Sequence, residues 1–458
     1  MPALLRFPFR ARWASPLSLL VDPFRKASFL LGGQTASGVL TLGALALSSR
    51  ALGIVDFGVL MLIHGTTQTI GQIVRFQSWE PILRYGAQAR EAGDVPRLHR
   101  LLAFSFGLDV LAAVVGLLVV LAAMGPLAAL FEISAAHQDA ARLYGTGVAL
   151  MVLGAAHNGT LRLFDRFDLV AVQSTLAPAV RCVGAAVLFA AGGGLTAFLV
   201  LWFVALAGAR LGLVVLAWRE LFRRDLVRDF RAGLDHRTLN PEPGIWRFVA
   251  GTNVAGTLNL ANTRLPLLIV GAMLSPAAAG LYRIAEQFAD LLVKPSHKML
   301  APAIYPELAH LSAANKPGKR RRMVLRSAAL AGGLALVLFF VLAAAGKPLI
   351  MMIVGADYAP AHLPMVLLTA GGVLAAWAFP LAPLLSAAGR VRSLVIARIA
   401  AMTGYLAAMA VLVDGWGLVG AAAAMVVHGA VTLAGLGLGA RNVLGTARPA
   451  DVQPAEQA

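Results

Sequence analysis

Seven polar or charged residues punctuate an otherwise apolar stretch at 277–298: Arg283, Glu286, Gln287, Asp290, Lys294, His297 and Lys298. At about 100° per residue they fall within a stripe about 120° wide on one helix. Two kinds of chemistry fit that spacing. Arg283 with Glu286 at i+3, and Asp290 with Lys294 at i+4, can neutralise each other along the helix and tie it into a bundle. Gathered around water instead, the cations would clamp an anion and the acids would exchange a proton or sodium ion. Lys298 can also reach the cytoplasmic face by extending its stem.

Other ionised groups interrupt neighbouring apolar stretches. Arg264 stands in the preceding stretch at a depth similar to Arg283. Arg181 lies near the middle of 170–191, and Asp109 is the one acid of 101–123. Arg210 is about two turns from the cytoplasmic end of its stretch and can snorkel. Each charge near a bilayer centre costs roughly 2.5–3.5 kcal/mol, so each requires a reason. Within these stretches and at their edges Arg142, Arg181, Arg210, Arg264, Arg283, Lys294 and Lys298 outnumber Asp109, Glu286 and Asp290, which makes the interior net positive. A positive, water-filled cavity suits a phosphate or diphosphate held by guanidinium groups. Arg264, Arg283, Arg181, Lys294 and Arg210 are therefore the substrate-binding candidates, and Glu286, Asp290 and Asp109 the ion-coupling candidates. His64 and His157 read as neutral, hydrogen-bonded histidines, with a pH-sensitive cavity role as the alternative for His64.

The elements that must position these groups are membrane helices. Of 458 residues 59% are hydrophobic and 13% charged, against about a quarter charged in a soluble protein. Twelve apolar stretches follow one another at 27–48, 57–76, 101–123, 141–160, 170–191, 195–218, 246–271, 277–298, 324–345, 361–388, 394–413 and 416–438. The first lies too deep in the chain for a cleaved signal peptide. Lys and Arg concentrate on one side, 30 of 39 in alternate connectors and the termini, and only Arg50 and Lys347 in the opposite loops. By the positive-inside rule both termini are cytoplasmic. The net charge of +17 is thus a topology signal with attraction to anionic lipid, and needs no nucleic-acid partner.

The expected fold is an all-α polytopic membrane protein of about twelve transmembrane helices, in two pseudo-symmetric six-helix lobes around a central cavity. Its parts are a cytoplasmic amphipathic segment 1–26, a first lobe 27–218, a cytoplasmic linker 219–245, a second lobe 246–438 and a cytoplasmic tail 439–458. A displacement of 218 residues sets Gly33, Gly38, Leu40, Leu42 and Gly53 over Gly251, Gly256, Leu258, Leu260 and Gly271. After a four-residue insertion, Phe57-Gly58 falls over Ala279-Gly280, and Met61, His64, Gln68 and Gln72 over Arg283, Glu286, Asp290 and Lys294. Two bundles related by an axis along the membrane normal are a common transporter plan. The glycines also serve close helix approach, and both statements can hold together.

Several functions are disfavoured. No P-loop or H-E-x-x-H motif occurs, and the single Cys182 excludes a disulfide framework or a cysteine-based metal site. No cofactor or metal is expected beyond the transported ion. A membrane glycosyltransferase or polymerase would need catalytic acids or arginines on a sizeable outer loop, and these loops are short.

Particular stretches resemble the Wzx-type polysaccharide flippases of the multidrug/oligosaccharidyl-lipid/polysaccharide exporter superfamily. They are Ser49-Arg50-Ala51-Leu52-Gly53 with Phe57-Gly58; Phe76-Gln77-Ser78-Trp79-Glu80-Pro81 running into Arg84-Tyr85-Gly86; and Leu161-Arg162 with Asp165-Arg166-Phe167-Asp168. Ala285-Glu286-Gln287-Phe288, through Lys294-Pro295 to Tyr305-Pro306-Glu307-Leu308-Ala309, is similar in the second half. The resemblance implies a bacterial inner-membrane protein that moves an undecaprenyl-diphosphate-linked oligosaccharide to the periplasmic leaflet by alternating access, for O-antigen or exopolysaccharide synthesis. It implies coupling to a proton or sodium gradient, with the lipid bilayer and polysaccharide polymerase machinery as partners. The runner-up is an ion-coupled drug or metabolite antiporter of the same fold, which would favour a net acidic cavity.

Overall fold

The computed structural model describes residues 16–227, 230, 235–258, 264–290 and 317–445. Lys294, His297, Lys298, Pro295, Pro302 and the stretch 305–309 lie outside the described residues, as do 1–15 and 446–458. Among the described residues there is no strand.

The helices are α1 (Pro16–Val74), α2 (Trp79–Glu91), α3 (Val95–Leu130), α4 (Ala135–Val152), α5 (Gly154–Leu163), α6 (Phe167–Ala190), α7 (Leu195–Arg223), α8 (Ile245–Leu258) and α9 (Leu265–Met273). They continue as α10 (276–290), α11 (Pro317–Ile353), α12 (His362–Ala378), α13 (Leu381–Ala387) and α14 (Val391–Gly445). Among the described residues seven stretches are long and apolar enough to cross a bilayer, and two of them, Gly32–Val74 and Arg392–Arg441, have 43 and 50 residues. Each of those two holds two crossings of about twenty residues.

The division points are glycines. Gly53 has φ 70° and ψ −178°, a conformation essentially restricted to glycine. Thr41, Ala44 and Leu45 before it line the same cavity as Met61 and His64 after it. In a straight helix Thr41 and His64 would be roughly 35 Å apart, so the chain folds back at Gly53. Gly417, with φ 54°, divides α14 in the same way. There His428 Nδ1 lies 3.2 Å from the Ala401 carbonyl, and Gly420 packs on Leu412. The crossings that read as single stretches at 141–160 and 361–388 are each built from two helices, α4 and α5 and α12 and α13, and the described residues of 246–271 fall in α8 and α9. The expected amphipathic segment 1–26 is, from Pro16 onward, continuous with the first membrane helix.

Helix faces partition by environment. Leu111, Val114, Leu118 and Leu121 of α3, and Leu330, Leu334, Val337 and Val341 of α11, are exposed at helical spacing and form faces suited to lipid. The main core joins both halves: Phe57, Leu60, Leu62, Tyr144 and Trp202 pack in one cluster with Val270, Tyr282, Ile284, Tyr358 and Tyr405.

The halves touch through the two repeat-related glycines. A Cβ on Gly58 would lie 1.8 Å from the Pro276 carbonyl oxygen, and one on Gly280 would lie 2.9 Å from the Ile54 carbonyl oxygen. The register that sets Gly58 over Gly280 also sets Ile54 over Pro276. Each contact is therefore the image of the other, the relation that a two-fold axis imposes on residues beside it.

Candidate functional site

A small cavity opens beside this axis, lined by Thr41, Ala44, Leu45, Met61, His64, Arg181, Trp202 and Arg283. Arg181 reaches it from α6 and Arg283 from α10, so cations from both halves meet there. Met61 and Arg283 are equivalent in the repeat and line the same space, as symmetry about the axis requires.

Each cation is held with donors to spare. The Arg181 guanidinium carbon stands 5.4 Å from the ring centre of buried Trp202, a cation–π contact that leaves the N–H groups available. Its Nε is buried without a hydrogen-bond partner among the described residues. Arg283 donates from one terminal nitrogen to Glu286 Oε2 at 2.5 Å and from the other to Gln287 Oε1 at 3.1 Å. A guanidinium has five N–H donors, so three remain among the described residues. His64 Nδ1 is 2.6 Å from the Tyr144 hydroxyl. His64 thus has the hydrogen-bonded environment expected for it and also a place in the cavity wall.

The remaining candidates separate. Arg264 precedes α9 and lies in the electrostatic field of Arg283, Glu286 and Asp290, with its Nε also unpartnered among the described residues. It does not line the cavity itself. Arg210 packs against the α4–α5 junction, where a Cβ on Gly154 would lie 3.2 Å from its Nη1. Asp290 shares the α10 field but is not among the lining residues. Lys294 lies outside the described residues.

Asp109 stands away from this cavity. It is fully buried and accepts from the Ser78 hydroxyl at 2.5 Å and from the Ala156 backbone N–H at 2.8 Å. Its carboxylate satisfies an otherwise orphaned donor in the first turn of α5, which places it in the joint between helices. His157, as expected, is hydrogen-bonded, to the Leu153 carbonyl at 2.7 Å, and stacks on Phe106.

Arg75, at the end of the stretch 57–76, was not among the candidates. In the structure it shares a field with Asp109, Arg210 and Arg264. Its place directly after α1 was the available signal. Trp202 and Tyr144 carried none, since aromatic residues in apolar stretches are usually core.

Two sets of contacts hold the ends. Where α1 turns back, the Tyr358 hydroxyl donates to the Gly53 carbonyl at 3.1 Å, the Phe57 and Tyr358 rings meet edge to face, and Arg50 donates to the Met352 carbonyl. At the other end Arg97 forks onto Glu242, Arg100 lies 3.5 Å from Asp235, and the Gln77 N–H donates to Asn253 Oδ1 at 3.1 Å. Arg166 there is held above the ordinary arginine value by Asp168 foremost and then Glu220. The expected linker is therefore tied to α3 by ion pairs.

A family model described as polysaccharide biosynthesis protein matches residues 99–363. An inner membrane protein of Escherichia coli K12, YghQ, is 30% identical over 343 residues, which are 74% of this chain and 94% of the relative. Among solved structures, a multidrug resistance MATE family transporter of the MOP superfamily, in its inward-facing conformation, superposes with a TM-score of 0.70 at 15% identity. That match covers 90% of this chain and 94% of the other. The lipid II flippase MurJ, in an inward closed conformation, gives 0.68 at 11% identity, over 89% and 86%.

Proposed function

The chain belongs to the polysaccharide biosynthesis protein family and has the multi-pass transporter fold of the MOP superfamily, and on that premise we propose that it flips a lipid-linked, diphosphate-bearing oligosaccharide across a bacterial inner membrane. Its family and its fold neighbours are transporters and flippases, not enzymes. The observation that carries the finer reading is the convergence of Arg181 and Arg283 from opposite halves on one cavity, each with unused donors. A diphosphate has the geometry to accept from both forks at once.

In this reading the head group and sugars occupy the cavity while the polyprenyl tail stays in lipid. The lobes 27–218 and 246–438 rock about the Gly58–Gly280 contact, with both termini cytoplasmic. Arg264, Arg210 and Lys294 extend the positive field, and Glu286 or Asp290 couples the movement to protons or sodium. The undecaprenyl carrier, an O-antigen or exopolysaccharide product and association with polymerase machinery belong to the same proposal. A multidrug exchanger for organic cations fits less well, because two arginines and no carboxylate line the cavity among the described residues.

The test is a reconstitution in liposomes carrying a fluorescent undecaprenyl-diphosphate oligosaccharide, with an external quencher and an imposed pH or sodium gradient. Protein-dependent loss of protection that follows one gradient is expected. Unchanged protection together with gradient-driven uptake of an organic cation would reject the proposal.

A further inference from the structure

Arg283 is the one cavity arginine whose guanidinium is already bonded to an acid among the described residues. Its Nη1 donates to Glu286 Oε2 at 2.5 Å and its Nη2 to Gln287 Oε1 at 3.1 Å, both acceptors being on its own helix at i+3 and i+4. The pair is partly accessible, with 18% and 20% side-chain exposure, so an incoming oxyanion can reach the same donors. A carboxylate and a phosphate oxygen are chemically equivalent competitors for one N–H.

We propose that Glu286 is a proton-operated competitor for the anion site: its carboxylate occupies Arg283 while the cavity is empty, and protonation frees the guanidinium for a phosphate oxygen. This rests on the reading that the cavity binds a diphosphate. The step makes and breaks no covalent bond other than the O–H on Glu286. The proton adds to a carboxylate oxygen, the Nη1–H···Oε2 bond is given up, and the same N–H turns to the anion. Gln287 continues to hold the other nitrogen, so the guanidinium is released without being lost from the wall.

The charged groups around the pair are compatible with this exchange. On its own helix Glu286 is accompanied by Asp290, and it shares a field with Tyr282. Arg264 faces it from the segment before α9, and Tyr405 from α14. Across the cavity His64 and Arg181 share the field of Arg283. Lys294, His297 and Lys298 lie beyond the described residues. Reciprocity then couples the two ligands: if protonation favours the anion, the anion favours protonation by the same factor.

The test uses the purified full-length chain in detergent and titrates a short-chain polyprenyl-diphosphate-glucose by calorimetry. Both ends of its diphosphate are esterified, so its own charge does not change over the range used, about pH 5.5 to 8.5. Wild type is expected to bind more tightly as pH falls, by at most roughly tenfold per unit for one proton per anion. Measured in two buffers of different ionisation enthalpy, it should take up a proton on binding. Glu286→Gln should bind at all pH values at least as tightly as wild type does at the acid end, with the slope and the proton uptake gone.

His64→Gln is the control for a second titrating group in the wall, and it should retain the slope. A slope that persists in Glu286→Gln, or one absent from wild type or abolished by His64→Gln, overturns the proposal. Absence of binding in wild type and in Glu286→Gln alike, with normal thermal melts, overturns the anion reading of the cavity instead.

Discussion

At the scale of single residues, the cavity depends on two guanidiniums that a bilayer protein would not otherwise keep. Arg181 is stabilised by the face of Trp202, and Arg283 by Glu286 and Gln287. Hydrogen bonds to a charged group contribute about 1.5–3 kcal/mol each, or about ten- to a hundredfold in affinity. Arg181→Gln and Arg283→Gln are each expected to weaken diphosphate-lipid binding within that range, and the double variant to abolish flipping while membrane yield and melting temperature are retained. Binding isotherms beside the liposome assay check this, and full transport by the double variant would assign both arginines a purely structural role. Asp109 belongs to the opposite category, since its two oxygens are engaged by Ser78 and Ala156.

At the scale of elements, the lobes are held at a distance that only glycine permits. Gly58 and Gly280 bring helix backbones into direct contact, and the van der Waals gain there depends on the missing side chains. Gly58→Val places carbon atoms where the Pro276 carbonyl stands, so the halves must separate. Overpacking of this kind costs about 1–3 kcal/mol. A lowered melting temperature in detergent, with transport lost, is the expected outcome. A variant that melts and transports like the wild type would show that the lobes meet elsewhere. Gly280→Ala, whose new Cβ would lie 2.9 Å from Ile54, should be milder.

For the whole molecule, the end of the bundle where α1 turns back is closed by Tyr358 and Arg50. Each bonds a backbone carbonyl across the halves. The alternating access proposed for this chain would require those bonds to break in one state and reform in another. Tyr358→Phe removes the hydroxyl and keeps the ring contact with Phe57, so it should raise the population opened at this end. Spin labels at Val55 and Leu363, both exposed, report it by pulsed dipolar spectroscopy in a Cys182→Ala background. A longer, broader distance distribution than in wild type is expected. An identical one would mean that Tyr358 does not take part in closure.

The linear order of residues determined the twelve apolar stretches, the helical class, the break between 27–48 and 57–76, and the repeat that joins Gly58 to Gly280. Those features follow from costs that each residue incurs locally: the transfer of apolar and charged groups into lipid, and the conformational freedom of glycine. The same local reasoning made candidates of Arg181, Arg210, Arg264 and Asp109 alike, because a buried charge requires a partner wherever it sits. Only the tertiary structure decided which of them meet. Arg181 faces Arg283 across the cavity, whereas Asp109 turns into the joint at α5 and Arg210 packs against the α4–α5 junction. A helix carries the depth of a side chain in its own sequence, but the direction that side chain faces acquires meaning from the helices packed around it.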